Sequence, residues 1–159
     1  MNMAPDNNDE LRELYRELIL DHARNPRHFG KLDDATHCAE GINPLCGDKL
    51  RLYLRLNEDQ SIVAAGFEGS GCAISVASAS LLTDLIIGLP SSEARQYFTA
   101  VTQRLTSTAT AADTGSIDLG KLKALDGVRE YPSRVKCATL AWHAMNSALN
   151  NQSTPVSTE

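Results

Sequence analysis

The sequence predicts an α+β fold in which a three-stranded antiparallel sheet packs against about five helices. Three observations predict it. Leu50, Leu52, Leu54 and Leu56 alternate with Lys49, Arg51, Tyr53 and Arg55, the mark of a strand with one buried face. The flanking strand-like runs follow through short connections, which antiparallel pairing permits. The element order is helix, then sheet, then helices, and not an alternation of strand and helix.

Each element has its own signal. Residues 9–24 read as a helix, because Leu11, Leu14, Tyr15, Leu18, Ile19 and His22 share one face and Asn25-Pro26 ends the run. Residues 27–34 form a polar connector, and 36–42 a short strand of weak pattern. The clear strand covers 49–57, a polar turn follows at 57–61, and 62–67 returns as its partner. Glu68-Gly69-Ser70-Gly71 is expected to break the sheet and launch a helix at Cys72. That helix, 73–87, is apolar almost all round in its C-terminal half, so it should be buried. Its small residues Ala73, Ser75, Ala77, Ser78 and Ala79 allow close backbone packing, and Gly88 with Pro90 stops it.

Ser91 or Ser92 caps the next helix, whose inward face is Ala94, Tyr97, Phe98, Val101 and Leu105. The Thr/Ala/Ser stretch 106–115 reads as a surface loop. Leu119, Leu122 and Leu125 suggest a short amphipathic turn or helix closed by Asp126-Gly127. Pro132-Ser133 opens the last helix, 134–149, with Ala138, Ala141, Trp142, Met145, Ala148 and Leu149 buried. One domain is expected over 9–150, between disordered polar tails at 1–8 and 151–159.

Composition narrows the function classes. The 159 residues are 42% hydrophobic, enough for a core, and the formal net charge of -5 argues against broad binding to nucleic acid or an anionic membrane. The N-terminal residues have no basic and apolar regions of a secretory signal, and no apolar run approaches the roughly 18 to 20 residues of a membrane span. A cytoplasmic protein is expected. In a reducing compartment its four cysteines, Cys38, Cys46, Cys72 and Cys137, suit metal binding or thiol chemistry better than disulfides.

The chemistry gathers at Asn43-Pro44-Leu45-Cys46-Gly47-Asp48. Gly47 lets the turn bend so that a thiol and a carboxylate face one point. With Cys72 at a helix start and Cys137 in the first turn of another, these residues form a plausible tetrahedral set: Cys46, Asp48, Cys72 and Cys137. Three thiolates and a carboxylate suit Zn2+, and three sulfurs could also serve an iron–sulfur cluster. Helix N-termini favour thiolate over thiol. Such a site is net negative, and Lys49, Arg134 and Lys136 are the cations near it in sequence. The competing reading makes the cysteines small buried hydrophobes, Asp48 a turn-former and the cations solvated surface charge.

Other groups carry less. Cys38, in a strand away from any turn, suits a core or edge thiol. His143 lies well round its helix from Cys137, His22 sits at the boundary of an amphipathic face, and His28 and His37 read as exposed. No nucleophile elbow, phosphate-binding loop, dinucleotide motif or H-E-x-x-H motif is present.

With these residues in view, the sequence resembles the IscU/NifU N-terminal family of iron–sulfur assembly proteins over nearly its whole length. The resemblance rests on Asn43 to Asp48, on Phe67 to Ser75 with Ala77-Ser78-Ala79-Ser80, and on Cys137 after Pro132-Ser133-Arg134-Val135-Lys136. Lys136 stands where the cluster-scaffold branch has histidine, and the Cys72 to Cys137 interval is longer, with extra residues around 99–118. Both features resemble the SufU branch, as does the run from Arg134 to Trp142.

The resemblance implies zinc held by Cys46, Asp48, Cys72 and Cys137, and a zinc-dependent sulfurtransferase that accepts persulfide sulfur from a SufS-like cysteine desulfurase, with iron–sulfur assembly machinery downstream. Within it, Cys46 is the expected sulfur acceptor, because its turn is the most mobile of the platforms, and Arg134 could steady the released thiolate. The alternative is a scaffold on which a [2Fe–2S] cluster is assembled on the same residues. A purely structural zinc site is a third reading.

Overall fold

The computed structural model describes residues 7–106, 117–152 and 155–158. The chain runs α1 (Asn7–Arg24), β1 (His37–Asn43), β2 (Asp48–Leu56), β3 (Ile62–Ser70), α2 (Ala73–Ile86) and α3 (Ser91–Thr106). A 3-10 helix (Gly120–Val128), α4 (Pro132–Leu149) and β4 (Val156–Ser157) follow. The α+β class stands: among the described residues there are four α-helices and the 3-10 helix, with α2 against β3, α4 against β1 and β2, and the other helices packed on these two. Most of the stretch read as a surface loop at 106–115 lies outside the described residues.

The sheet differs from the three-stranded antiparallel expectation. Its order is β3-β2-β1-β4, and β4 runs parallel to β1, pairing Gly41 with Val156 and Ile42 with Ser157. β4 comes from the segment read as a C-terminal tail. Two residues are too short to show a period, so the sequence carries no strand signal there. Thr158 fastens the strand at its end. Its N–H donates to the Ile42 carbonyl (3.1 Å) and its hydroxyl to the Lys136 carbonyl (3.2 Å).

The alternation in β2 works as expected on its inner face, where Leu50, Leu52, Leu54 and Leu56 are all buried. The outer face is only partly wet. Lys49 and Arg51 are exposed and Arg51 pairs with Glu40 of β1, but Tyr53 is buried and donates its hydroxyl to Glu68 of β3. β3 also runs three residues further than its pattern suggests. Gly69 was expected to break the sheet, yet it pairs with Leu50. Its φ is +142°, and a Cβ there would lie 2.1 Å from the Lys49 carbonyl oxygen. Glycine is what allows the two backbones to come this close.

The small residues of α2 are used as the sequence implies. Ala77 and Ser78 are fully buried, and the Ser78 hydroxyl donates to the Ala138 carbonyl of α4 while accepting from Trp142 Nε1 (3.2 Å). α1 packs on the same helix through His22. That residue is buried, not a boundary position, with Nδ1 2.7 Å from Ser80 Oγ. Ser80 Oγ also accepts the Arg27 N–H (2.8 Å), so this one hydroxyl joins α2 to both α1 and the connector that follows α1. Burial, and then the nearby Arg27 charge, hold this imidazole below its ordinary pKa.

The 3-10 helix buries Leu122 and Leu125. It passes through Asp126-Gly127 and ends at Val128. Asp126 there is clamped by Arg104 of α3 through Nε (2.7 Å) and Nη2 (2.6 Å). α4 starts at Pro132, two residues earlier than expected, because proline suits the first helical position.

Candidate metal centre

The site is built at the end of the sheet's inner face. Asp48 is the first member of the inward series that continues through Leu50, Leu52, Leu54 and Leu56, and it is 1% exposed. Its antiparallel partner across the β1–β2 turn is Asn43, which is also fully buried. Between them the chain turns through Pro44, Leu45, Cys46 and Gly47. Gly47 takes the positive φ (+71°) the turn requires, and the Cys46 N–H reaches the Asn43 carbonyl at 3.3 Å. Leu45 and Cys46 are exposed on this turn.

Cys46, Asp48 and Cys137 come together: one ligand atom from each lies within 4.8 Å of the others. The Cys72 thiol falls outside that close group, though it lies near enough to Cys137 to act on its thiol. Cys72 is the N-cap residue of α2, and its backbone N–H donates to Asp48 Oδ1 (2.9 Å). Gly71 is what admits the carboxylate, since a Cβ there would sit 2.6 Å from Asp48 Oδ1. Asp48 Oδ2 accepts from Asn43 Nδ2 (3.3 Å), and the same amide nitrogen approaches Cys137 Sγ (3.5 Å).

Cys137 differs from its sequence reading. The earlier start of α4 moves it from the first turn to the second, where its backbone N–H is already spoken for within the helix. Its side chain is completely buried, with Sγ 3.6 Å from the Ser133 carbonyl oxygen. Burial pushes its pKa well above the ordinary thiol range, and hydrogen bonding to Asp48, Cys46 and Cys72 pushes the same way.

The donor set fits a metal ion. Asp48 is a buried carboxylate whose partners are two dipolar N–H groups and the Cys137 thiol, and among the described residues no cationic side chain pairs with it. A buried anion beside buried thiols is costly unless a cation offsets it. Sulfur donors with one carboxylate oxygen suit Zn2+ or iron. The three cations considered from sequence do not fill that role: Lys49 and Arg134 are exposed, Lys136 is half-buried, and none pairs with Asp48.

The remaining candidates lie elsewhere. Cys38 is exposed on the part of β1 that β4 does not cover, an edge thiol. His143 packs edge-on against Phe98, with ring centroids 5.3 Å apart, and is not in the ligand group. His28 is exposed and His37 half-buried beside Thr36. Sequence reasoning treated Asn43 only as the opening of a turn and missed its buried amide. Extending the inward alternation of β2 back to Asp48, and pairing that residue across the turn, would have found it. Among the described residues no helix is long and apolar enough to cross a membrane.

Comparison with known proteins follows the same lines. Residues 14–151 match the NifU-like N terminal domain family. The chain is 40% identical over 142 residues to the zinc-dependent sulfurtransferase SufU of Bacillus subtilis (strain 168), covering 89% of this chain and 93% of that one. It is 42% identical over 146 residues to the iron-sulfur cluster assembly scaffold protein IscU of Thermotoga maritima, covering 89% and 96%. Among solved structures, a candidate iron-sulfur cluster assembly scaffold protein for the SUF system from Fervidobacterium islandicum AW-1 superposes with a TM-score of 0.76 at 33% identity, over 87% of this chain and 98% of that one. The α+β fold, the thiol and carboxylate cluster and these matches agree: the chain belongs to the NifU-like N-terminal family of iron–sulfur cluster assembly proteins, as a SufU-type member.

Proposed function

We propose that the protein is a zinc-dependent sulfurtransferase of iron–sulfur cluster biogenesis that accepts persulfide sulfur from a cysteine desulfurase. One observation carries the reading: within the ligand group Asp48 and Cys137 are 1% and 0% exposed, whereas Cys46 is exposed on a turn. The buried pair suits residues that stay, and the exposed thiol suits one that a partner reaches. Cys46, Asp48, Cys72 and Cys137 would hold the ion, and zinc would keep its cysteine ligands as thiolates at neutral pH.

The transfer itself belongs to Cys46. As a thiolate it attacks the outer sulfur of the desulfurase persulfide. A new S–S bond forms on Cys46, the old S–S bond breaks, and the donor cysteine leaves as a thiolate with the bonding electron pair. Arg134, exposed at the start of α4, is the cation we assign to steady the Cys46 thiolate once it is free. Such thiol chemistry belongs in the reducing cytoplasm, with a SufS-like desulfurase upstream and iron–sulfur assembly machinery downstream. Similarity to the Bacillus subtilis SufU supports this reading, as does Lys136 at the position where the scaffold branch has histidine.

The second reading, a scaffold for a [2Fe–2S] cluster, is favoured by the similar identity to the Thermotoga maritima IscU. One experiment separates them. The purified protein is mixed with its desulfurase and cysteine, bound zinc and iron are quantified, and persulfide is located by mass spectrometry. Zinc with persulfide on Cys46, lost in Cys46→Ala together with stimulation of the desulfurase, is the expected result. Iron with labile sulfide, a charge-transfer spectrum after anaerobic reconstitution, and zinc that can be displaced without loss of function would establish the scaffold instead.

A further inference from the structure

Asn43 is fully buried, and its amide has one possible orientation. A carboxylate only accepts hydrogen bonds, so the end facing Asp48 Oδ2 at 3.3 Å must be Nδ2. The second proton of that nitrogen points to Cys137 Sγ at 3.5 Å. This leaves Oδ1 turned away and, among the described residues, without a hydrogen-bond partner. Buried amides are rarely left with one end unpaired. That arrangement makes sense if the two bonds at the other end are what the position requires. Those bonds go to Asp48 and Cys137 and not to Cys46, which the Asn43 backbone holds only through its N–H.

We propose that Asn43 is the positioning residue that ties Asp48 and Cys137 into a stationary pair and so leaves Cys46 as the ligand free to depart. The inference rests on the reading of this cluster as a metal site. Its physical basis is the effect of hydrogen bonds from outside the ligand shell. They fix the ligand's direction and draw charge from the sulfur, and their loss typically lowers metal affinity roughly 10- to 100-fold. The backbone part of Asn43 in the turn is untouched by side-chain substitution, so the two roles can be separated.

The test uses Asn43→Ala, which has no side-chain donor, and Asn43→Ser, which keeps one. Zinc affinity is measured by competition with a chromophoric chelator, the Co2+ thiolate charge-transfer band is recorded, and metal-free melting is followed in parallel. Affinity should fall in the order wild type, Asn43→Ser, Asn43→Ala, with a loss of roughly 10- to 100-fold for alanine. The Co2+ band should move to lower energy as the N–H···S bond is removed, because the sulfur lone pair is no longer stabilised. If Asn43→Ala does not fold, Asn43→Ser alone must show the reduced affinity and the band shift. Lower metal-free melting with unchanged affinity and an unchanged Co2+ band would overturn the proposal and leave Asn43 a packing residue. None of these measurements needs a desulfurase. They can therefore fail while Cys46 still collects persulfide, or succeed while it collects none. A wild-type protein that binds neither Zn2+ nor Co2+ overturns both.

Discussion

Replacing Gly71 with alanine should weaken the proposed metal centre without substituting a ligand. The added methyl would sit 2.6 Å from Asp48 Oδ1 and 3.2 Å from the carboxyl carbon, where ordinary contact begins near 3.4 Å. Asp48 is 1% exposed, so the carboxylate cannot swing out into water. It must retreat from the N-terminus of α2 and give up the 2.9 Å bond from the Cys72 N–H. A hydrogen bond to a charged group is worth about 1.5–3 kcal/mol. At about 1.4 kcal/mol per decade this corresponds to roughly one to two orders of magnitude in zinc affinity. The assay is chelator competition on wild type and Gly71→Ala, with metal-free thermal melting alongside. Gly127→Ala is the control, since a Cβ there meets nothing within 4 Å and should change stability by no more than about 0.5 kcal/mol. A Gly71→Ala protein that binds zinc as tightly as wild type would refute the idea that Asp48 is held at the metal by its seat against α2.

Three further outcomes follow from the same structure. Gly69→Ala, which meets the Lys49 carbonyl at 2.1 Å and has a φ of +142°, should fail to give soluble folded protein; a well-dispersed native spectrum would contradict the close β2–β3 approach. Because burial lowers the pKa of His22, the neutral form favours folding, so stability should be full above about pH 6.5 and fall as the unfolded chain takes up its proton below that. Melting curves between pH 7 and 5 should show a shallower slope in His22→Asn, with a residual slope of the same sign from the half-buried His143, whose pKa desolvation also lowers; an unchanged slope would remove His22 from the account. Trp142→Phe removes the donor to Ser78 Oγ together with the pyrrole half of the fully buried indole, and should cost more than the about 1 kcal/mol of the hydrogen bond alone in urea unfolding; a neutral result would contradict the buried α2–α4 contact at this position.

Much of this was legible because it is periodic or covalent. The leucines of β2 alternate, and Gly47 announces a turn that positive φ then confirms; the face of α1 repeats with the helical period, but only Ile19 and His22 of it are buried, while Leu11 and Leu14 stay exposed. Local rules failed where a distant backbone set the outcome. Gly69 reads as a breaker in isolation and as a necessity only when the Lys49 carbonyl is placed against it. His22 looks like a boundary residue until Ser80 and Arg27 arrive from α2 and the following connector. β4 has no signal of its own, because its support comes from Ile42 and Lys136.

The candidate site divides along the same line. By itself the sequence determined which donors were on offer: a turn with Cys46 and Asp48, a cysteine at a helix start, another in a late helix, and a pattern of motifs resembling the SufU branch. Residue type and local spacing suffice for that, since donor softness and turn formation are properties of a few adjacent residues. Only the tertiary structure decided which of these groups lie within reach of one another, and which are exposed. It buried Cys137 in the second turn of α4, raising its pKa where a helix start would have lowered it, and left Cys46 outside. It also turned Asn43 inward against Asp48 and Cys137. Burial and long-range hydrogen bonds depend on which elements pack together, and no local window of sequence contains that information.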